Sequence, residues 1–215
     1  MRKKERYTKV VNWFQTNMPI AETELNYKTP YELMVSVILS AQCTDKRVNL
    51  ITPSFFVALP DLVSLANASQ DEVFEIIRSC SYPNNKAKHL RAAANTVISD
   101  FNGEIPETVD ELQKIPGVGR KTANVIASVA FNKQAFAVDT HVHRVANRIG
   151  LASQTKTPLA TENQLTANIE PELWPIAHHW LILHGRYVCK ARKPLCTECE
   201  LKPYCRYYEK NESKK

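Results

Sequence analysis

The chain has 215 residues, 44% apolar and 23% charged, and a formal net charge of +6. These values are ordinary for a soluble globular protein, and the positive charge favours an anionic partner such as a nucleic acid. The basic N-terminus lacks the apolar segment of a secretory signal, and no run approaches the ~18 apolar residues of a membrane span. We therefore expect a cytoplasmic protein with no membrane partner.

The first part of the chain predicts a series of helices. Residues 3–18 carry apolar side chains on one side at helical spacing. Thr29 and Pro30 suit the N-cap and first position of a second helix, whose nearly all-apolar sequence predicts central burial. A third helix is expected after Thr44, with Pro53 kinking or ending it.

Helical patterns continue through the middle of the chain. Ser69 followed by Glu72 forms the pattern of a capping box, which predicts another helix start. Residues 84–101 have amphipathic periodicity and predict a helix with a cationic face formed by Lys86, Lys88 and Arg91.

The remaining elements are also helical. The patterns cover 106–115, 120–131, 138–151, 160–169 and 173–189. A compact cysteine region and a polar tail, 209–215, follow. No internal repeat or long strand-like alternation is present, so the sequence predicts an all-α protein.

A glycine turn joins two of these patterns, although the whole chain has only 5 glycines. In Pro116-Gly117-Val118-Gly119 the glycines allow positive φ and close approach of another backbone, and Val118 can pack inward to fix the turn. A helix start directs N–H groups outward, where phosphate oxygens bind, and Arg120 suits such an anion. The alternative is a simple αα-hairpin with no ligand.

Lys121 follows this turn and could act as a nucleophile as well as a phosphate contact. The helix dipole disfavours its ammonium by only ~0.3–1 kcal/mol, which lowers a lysine pKa by roughly 0.2–0.7. A reactive lysine needs a pKa near ~7–8, about 3 below the ordinary value, so partial burial would have to contribute most of the change.

Asp139 ends an apolar stretch and precedes Thr140 and His141. Its side chain suits the N-cap of a helix beginning near Thr140. It could equally transfer protons or stabilise a cationic sugar, and the spacing leaves both roles open.

Six cysteines are present, and four of them crowd together. Cys189, Cys196, Cys199 and Cys205 have the spacing C-x6-C-x2-C-x5-C. Disulfides are rare in the cytosol, so this set predicts a metal site that could hold zinc or an iron–sulfur cluster. The isolated residues, Cys43 and Cys80, are expected to be buried apolar side chains.

Several segments together resemble the endonuclease III family, the bifunctional DNA glycosylase/AP lyases of the helix–hairpin–helix superfamily. The segments are IPGVGRKTANV, AVDTHVHRV, SVILSAQCTD and HHWLILHGRYVCKARKPLC. Lys121 and Asp139 also keep the family's spacing of 18 residues. The resemblance implies a six-helix domain with the helix–hairpin–helix, 22–134, and an iron–sulfur domain, 1–21 plus 135–215.

The resemblance also implies an activity and a cofactor. The expected substrate is double-stranded DNA with damaged pyrimidines or abasic sites, and the expected enzyme is a monomer. Lys121 is implied as the nucleophile that forms a Schiff base, and Asp139 as the catalytic carboxylate. The four cysteines are implied to hold a structural [4Fe–4S] cluster.

Further residues are implied to contact DNA or border the base pocket. The basic loop between the first two cysteines contributes Lys190, Arg192 and Lys193. Gln42 would fill the space left by an extruded base, with Asp45 and His141 near the pocket. N-terminal capping of the next helix is an equal alternative role for Asp45.

One stretch departs from the family pattern. The family commonly has a Gly-Leu-Tyr-Asn turn whose leucine wedges into the opposite strand. Here SCSYPNNKA places Tyr82 at that position, followed by Pro83. A tyrosine can stack on bases, and the sequence leaves the turn geometry and opposite-base preference open.

Two alternatives remain. An adenine-specific mismatch glycosylase is related, but that class normally lacks the nucleophilic lysine and carries an extra C-terminal domain. A non-catalytic DNA-binding module with a structural metal would keep the hairpin and have no need of Asp139.

Overall fold

The computed structural model describes residues 1–212 of the chain. Within that range it consists of helices, turns and irregular segments without a strand, which confirms the all-α prediction. The α-helices are α1 (Lys3–Asn17), α2 (Pro30–Ser40), α3 (Asp45–Ala58), α4 (Leu62–Asn67), α5 (Gln70–Ile77), α6 (Pro83–Asp100), α7 (Val109–Leu112), α8 (Arg120–Phe131), α9 (Thr140–Ile149), α10 (Pro158–Thr166), α11 (Trp174–Tyr187) and α12 (Arg206–Glu212). Residues 213–215, the end of the predicted polar tail, lie outside the described range.

The chain forms two compact units, one of Met1–Thr23 with Gln134–Lys215 and the other of Glu24–Lys133. The boundaries inferred from sequence fall at 21/22 and 134/135.

The unit of residues 24–133 is built around α2. The Thr29 hydroxyl accepts from the Glu32 N–H at 3.2 Å, which starts this helix as predicted. Leu33, Met34 and the following residues to Leu39 are buried on all sides. Helices α3, α6 and α8 pack against α2, and α4 and α5 pack against α6.

The other unit contains α1 and α9 to α12. The apolar side of α1 is buried, and Phe14 stacks on Trp180 of α11 with ring centroids 5.5 Å apart and an interplanar angle of 3°. Such a pair adds about 0.5–1.5 kcal/mol beyond the area it buries. Helix α9 packs against α10, α11 and α12, so it lies at the centre of this unit.

The structure corrects one prediction, an end of α3 at Pro53, and adds one helix that the sequence patterns did not identify. Helix α3 continues through Pro53 to Ala58, because burial of Ile51, Thr52 and Phe55 outweighs the single backbone hydrogen bond that proline removes. The short helix α4 was missed, although its capping box of Asp61 and Ser64 is present in the sequence.

The predicted cationic face of α6 is wrong. Lys88 is exposed and Arg91 half-buried, but Lys86 is only 5% exposed. The prediction for the isolated cysteines is confirmed for Cys80, which is buried, whereas Cys43 is half-buried.

Candidate nucleic-acid interface and metal centre

The helix–hairpin–helix consists of α7, a tight turn and α8. The Ile115 N–H donates to the Leu112 carbonyl at 3.1 Å, and the Val118 N–H donates to the Ile115 carbonyl at 3.0 Å. The Val118 side chain is buried, as predicted, so it fixes the turn against the helices. This leaves the flanking glycines exposed on the surface.

The two glycines of the turn serve different purposes. Gly117 has φ +82°, and a Cβ there would lie 2.9 Å from the Cβ of His89 on α6. Gly119 has φ −82°, and a Cβ there would meet no atom within 4 Å. The fold therefore requires glycine at 117, whereas at 119 glycine keeps an open surface free of a side chain.

Helix α8 begins directly after this open surface. Gly119 is its N-cap and supplies no side-chain acceptor, unlike the threonine caps of α2, α3, α7 and α10. Arg120 is exposed, and Lys121 is half-buried. This helix start offers backbone amides and an exposed guanidinium, and its first turn has no acidic residue. Such a helix start is suited to binding an anion.

The turns that carry Gln42 and Tyr82 lie next to each other. Both residues have φ 54°, in the left-handed region, and both are exposed. The Ser81 hydroxyl donates to the Gln42 carbonyl at 2.8 Å, which joins the two turns. The structure thus brings together these two predicted DNA contacts and orients both towards solvent.

Asp45 lies close to Gln42 in the chain but does not cap α3. Thr44 is the N-cap, and its hydroxyl accepts from the Arg47 N–H at 3.2 Å. Asp45 is the first helical residue and is half-buried. Capping as the alternative role of Asp45 is therefore wrong.

Asp139 is the N-cap of α9. Its Oδ1 accepts from the Val142 N–H at 2.8 Å, which confirms the capping role left open by the sequence. The residue is half-buried, so the carboxylate is both fixed by the helix start and partly accessible. Oδ1 serves the cap, and Oδ2 is not part of this hydrogen bond.

His141 lies one residue into α9 and is half-buried. Its Nδ1 is 3.2 Å from Nη2 of Arg144. A guanidinium can only donate, so Nδ1 must be the acceptor and the neutral ring carries its proton on Nε2. Arg144 therefore fixes the tautomer of this predicted pocket residue.

Two arginines of α9 hold the start of the cysteine region, and sequence reasoning missed both. Arg144 donates to the Cys189 carbonyl at 3.1 Å. Arg148 donates to the carbonyls of Lys190 and Ala191 at 2.7 and 3.0 Å and lies 3.6 Å from the Cys189 sulfur. Their spacing of four places both on one face of α9, a signal present in HVHRVANRI.

The predicted basic loop begins at the carbonyls that Arg148 binds. Lys190, Arg192 and Lys193 are all exposed, and Lys193 has φ 50°. Because Arg148 binds backbone carbonyls, the loop is held without using its own cations. Those cations remain on the surface.

The four clustered cysteines line one pocket together with apolar residues. All four are half-buried, and Ile149, Leu195 and Leu201 contribute to the same wall. Among residues 1–212, no three His, Cys, Asp or Glu side chains are arranged to share a single metal ion. Four thiols and the His184 imidazole are the possible donors in this largely apolar wall, and the thiols suit a soft, thiophilic metal group.

Burial governs protonation at this pocket. It raises the pKa of Cys199 to about 11, and it also raises the pKa values of Cys196 and Cys205. Burial likewise lowers the pKa of His184, whose Nε2 is 3.7 Å from the Cys199 sulfur, to about 4. A metal group bound here must therefore displace thiol protons beside a neutral imidazole.

Comparison with known proteins agrees with these features. A family model described as "HhH-GPD superfamily base excision DNA repair protein" matches residues 35–171. Endonuclease III of Rickettsia conorii is 46% identical over 93% of this chain and 95% of that protein. Endonuclease III of Bacillus subtilis is 44% identical over 91% of this chain and 90% of that protein. The chain belongs to the endonuclease III family.

A solved structure extends the likeness to this family from sequence to fold. A trapped endonuclease III–DNA covalent intermediate, an estranged-adenine complex, has a TM-score of 0.94 and 40% identity to this chain. The match covers 99% of this chain and 100% of that chain. Within residues 1–212 of the present chain, no helix has the length and apolar character to cross a membrane.

Proposed function

We propose that this endonuclease III family member removes oxidised pyrimidines from double-stranded DNA and cleaves the resulting abasic site. Glycosylase and lyase activity agree with the family. The observation that carries the residue-level proposal is the start of α8, where an open glycine surface, an exposed Arg120 and a half-buried Lys121 follow one another.

The hairpin binds the DNA backbone in this proposal. Phosphate oxygens accept from amides near Gly119, and Arg120 adds a charge-assisted contact. These contacts do not depend on the base sequence, so they position the duplex and leave lesion recognition to the residues that contact the extruded base.

Lys121 supplies the nucleophile. Its neutral amine attacks C1′ of the extruded nucleotide, forming a C–N bond while the bond to the damaged base breaks. Opening of the sugar gives a Schiff base, loss of a C2′ proton follows, and the C3′–O bond breaks with the 3′ phosphate leaving. The strand is cut by β-elimination without hydrolysis of a phosphodiester.

Asp139 acts on the sugar as an electrostatic and acid–base group in this proposal. Its Oδ1 is engaged by the helix cap, so Oδ2 stabilises positive charge at the sugar and accepts or returns protons. Asn caps helices about as well as Asp, so Asp139→Asn separates the two roles.

We also infer that Cys189, Cys196, Cys199 and Cys205 hold a [4Fe–4S] cluster. Such a cluster is held by four cysteine thiolates, and these four side chains line one pocket. When bound, the cluster would cross-link the four thiols and stiffen the basic loop that follows Cys189. A monomeric enzyme in the cytoplasm, where thiols stay reduced, completes the proposal.

Incision of a duplex with one oxidised pyrimidine tests the function, with an undamaged duplex and an adenine mismatch as controls. We expect strand cleavage with a β-elimination end on the lesion only. Asp139→Asn should fold normally and lose about 10²-fold or more in single-turnover rate. Cleavage of the adenine mismatch alone, or binding without any cleavage, would contradict the proposal.

A further inference from the structure

We infer that Lys86 is a positioning residue that holds the turns of Gln42 and Tyr82 in the shape used for base extrusion. The inference rests on the proposed function, because these two turns can take part in base extrusion only if the protein acts on damaged DNA.

Lys86 is a buried cation with an unusual set of partners. Its Nζ donates to the carbonyls of Leu39 and Ala41, both at 2.7 Å, and lies 3.2 Å from the Ser81 hydroxyl and 3.2 Å from the Cys80 sulfur. An ammonium has three N–H donors, so these acceptors use all of its hydrogen-bonding capacity. The charge is balanced by the negative end of α2, where carbonyls lack helical partners.

The partners of Lys86 belong to the two turns of interest. Ala41 immediately precedes Gln42, and Ser81 immediately precedes Tyr82. The Lys86 N–H also donates to the Tyr82 carbonyl at 3.1 Å, as the first turn of α6. One side chain therefore connects the end of α2 with the entry to α6.

Both turns need such support because their exposed residues are strained. A non-glycine residue in the left-handed region persists only where its surroundings determine its conformation. Gln42 and Tyr82 have few contacts of their own that could do this, since both side chains lie on the surface. The hydrogen bonds of Lys86 and of the Ser81 hydroxyl to the backbone of these turns supply the support from the buried side.

The consequence for catalysis is selective. Extrusion of a base-bearing nucleotide requires unstacking and unpairing, whereas an abasic nucleotide has no base to unstack. Loosened turns should therefore slow the reaction on a damaged base more than the reaction on an abasic site. A role in stability alone would affect both substrates equally.

The test compares Lys86→Met with Lys88→Met, a matched change at an exposed position of the same helix. Single-turnover rates are measured with saturating enzyme on one duplex carrying an oxidised pyrimidine or an abasic site. Lys86→Met should slow the reaction on the damaged base about tenfold or more, because rates are sensitive to small misplacements. It should slow the reaction on the abasic site by less than about threefold. Lys88→Met should leave this ratio unchanged.

Ser81→Ala keeps the inference testable if Lys86→Met does not fold. It removes the hydroxyl shared by both turns at a partly exposed position, and it should shift the same ratio in the same direction by a smaller factor. Equal losses on both substrates, or an unchanged ratio in the folded variants, would overturn the inference. Failure of the proposed function would instead appear in the unsubstituted enzyme, as absence of cleavage on either substrate.

Discussion

Substitution of the two hairpin glycines by alanine should separate folding from DNA binding. At Gly117 an alanine would have to adopt φ +82°, which costs about 1–2 kcal/mol. Its Cβ would also lie 2.9 Å from the His89 Cβ, and relief of such overpacking typically costs about 1–3 kcal/mol. Gly117→Ala should therefore lose about 2–5 kcal/mol of stability, which lowers the Tm by about 4 °C or more for a chain of this size.

Gly119→Ala is the matched control within the same turn. Its backbone is already in a region open to alanine, and no atom lies within 4 Å of the added Cβ. We expect a stability within about 1 kcal/mol of the unsubstituted protein, because reduced freedom of the unfolded chain offsets the poorer N-cap. DNA affinity should fall about tenfold, equivalent to roughly one charge-assisted hydrogen bond to phosphate.

Thermal unfolding followed by circular dichroism measures the first effect, and fluorescence anisotropy with a labelled abasic-site duplex measures the second. Both titrations must share one salt concentration, because phosphate contacts are strongly salt-dependent. A Gly119→Ala variant that binds DNA normally would refute the assignment of this surface to the DNA backbone. A Gly117→Ala variant of unchanged Tm would refute the steric reasoning.

Two further predictions concern the unit that contains α9. Phe14→Ala removes the ring stacked on Trp180 and should lower the free energy of unfolding by about 3–5 kcal/mol, measured by urea titration. A loss below ~1 kcal/mol would contradict the packing described. Arg148→Met removes the hydrogen bonds to the Lys190 and Ala191 carbonyls and should speed the loss of iron from the proposed cluster to a chelator. Lys156→Met, at an exposed position, is the control. Equal rates of iron loss in the two variants would show that these hydrogen bonds are not needed.

Much of the fold was accessible from sequence because local signals agreed with tertiary packing. Thr29, Thr44 and Ser69 begin helices where their side chains can accept from backbone amides. The apolar side of α1 and the apolar run of α2 identified buried surfaces correctly. In these elements propensity, capping and periodicity favour the same structure.

The errors arose where tertiary contacts overrode a local rule. Pro53 was expected to kink or end α3; an end at Pro53 is wrong, because buried neighbours hold the helix through it. Lys86 was placed on a solvated face because its partners are backbone carbonyls, which a residue pattern does not reveal. The left-handed turn at Tyr82, which has a tyrosine where a glycine is easier, could not be derived for the same reason.

The candidate site divides in the same way. The glycine turn and the grouping of the four cysteines could be predicted from spacing in the sequence, whereas the roles of Lys121 and of these cysteines stay predictions. The contacts of His89 with Gly117 and of the α9 arginines with the cysteine region could not be predicted, because they join residues distant in sequence.

The central claim, that Lys121 is the nucleophile, is tested most directly by trapping the Schiff base. The protein is incubated with abasic-site duplex and borohydride, and the cross-linked peptide is identified by mass spectrometry. Arg120→Gln, at the neighbouring exposed cation, should reduce affinity but still give the adduct at saturating enzyme, whereas Lys121→Gln should give none. An adduct on Lys121 would support the account, and an undiminished adduct from Lys121→Gln would contradict it.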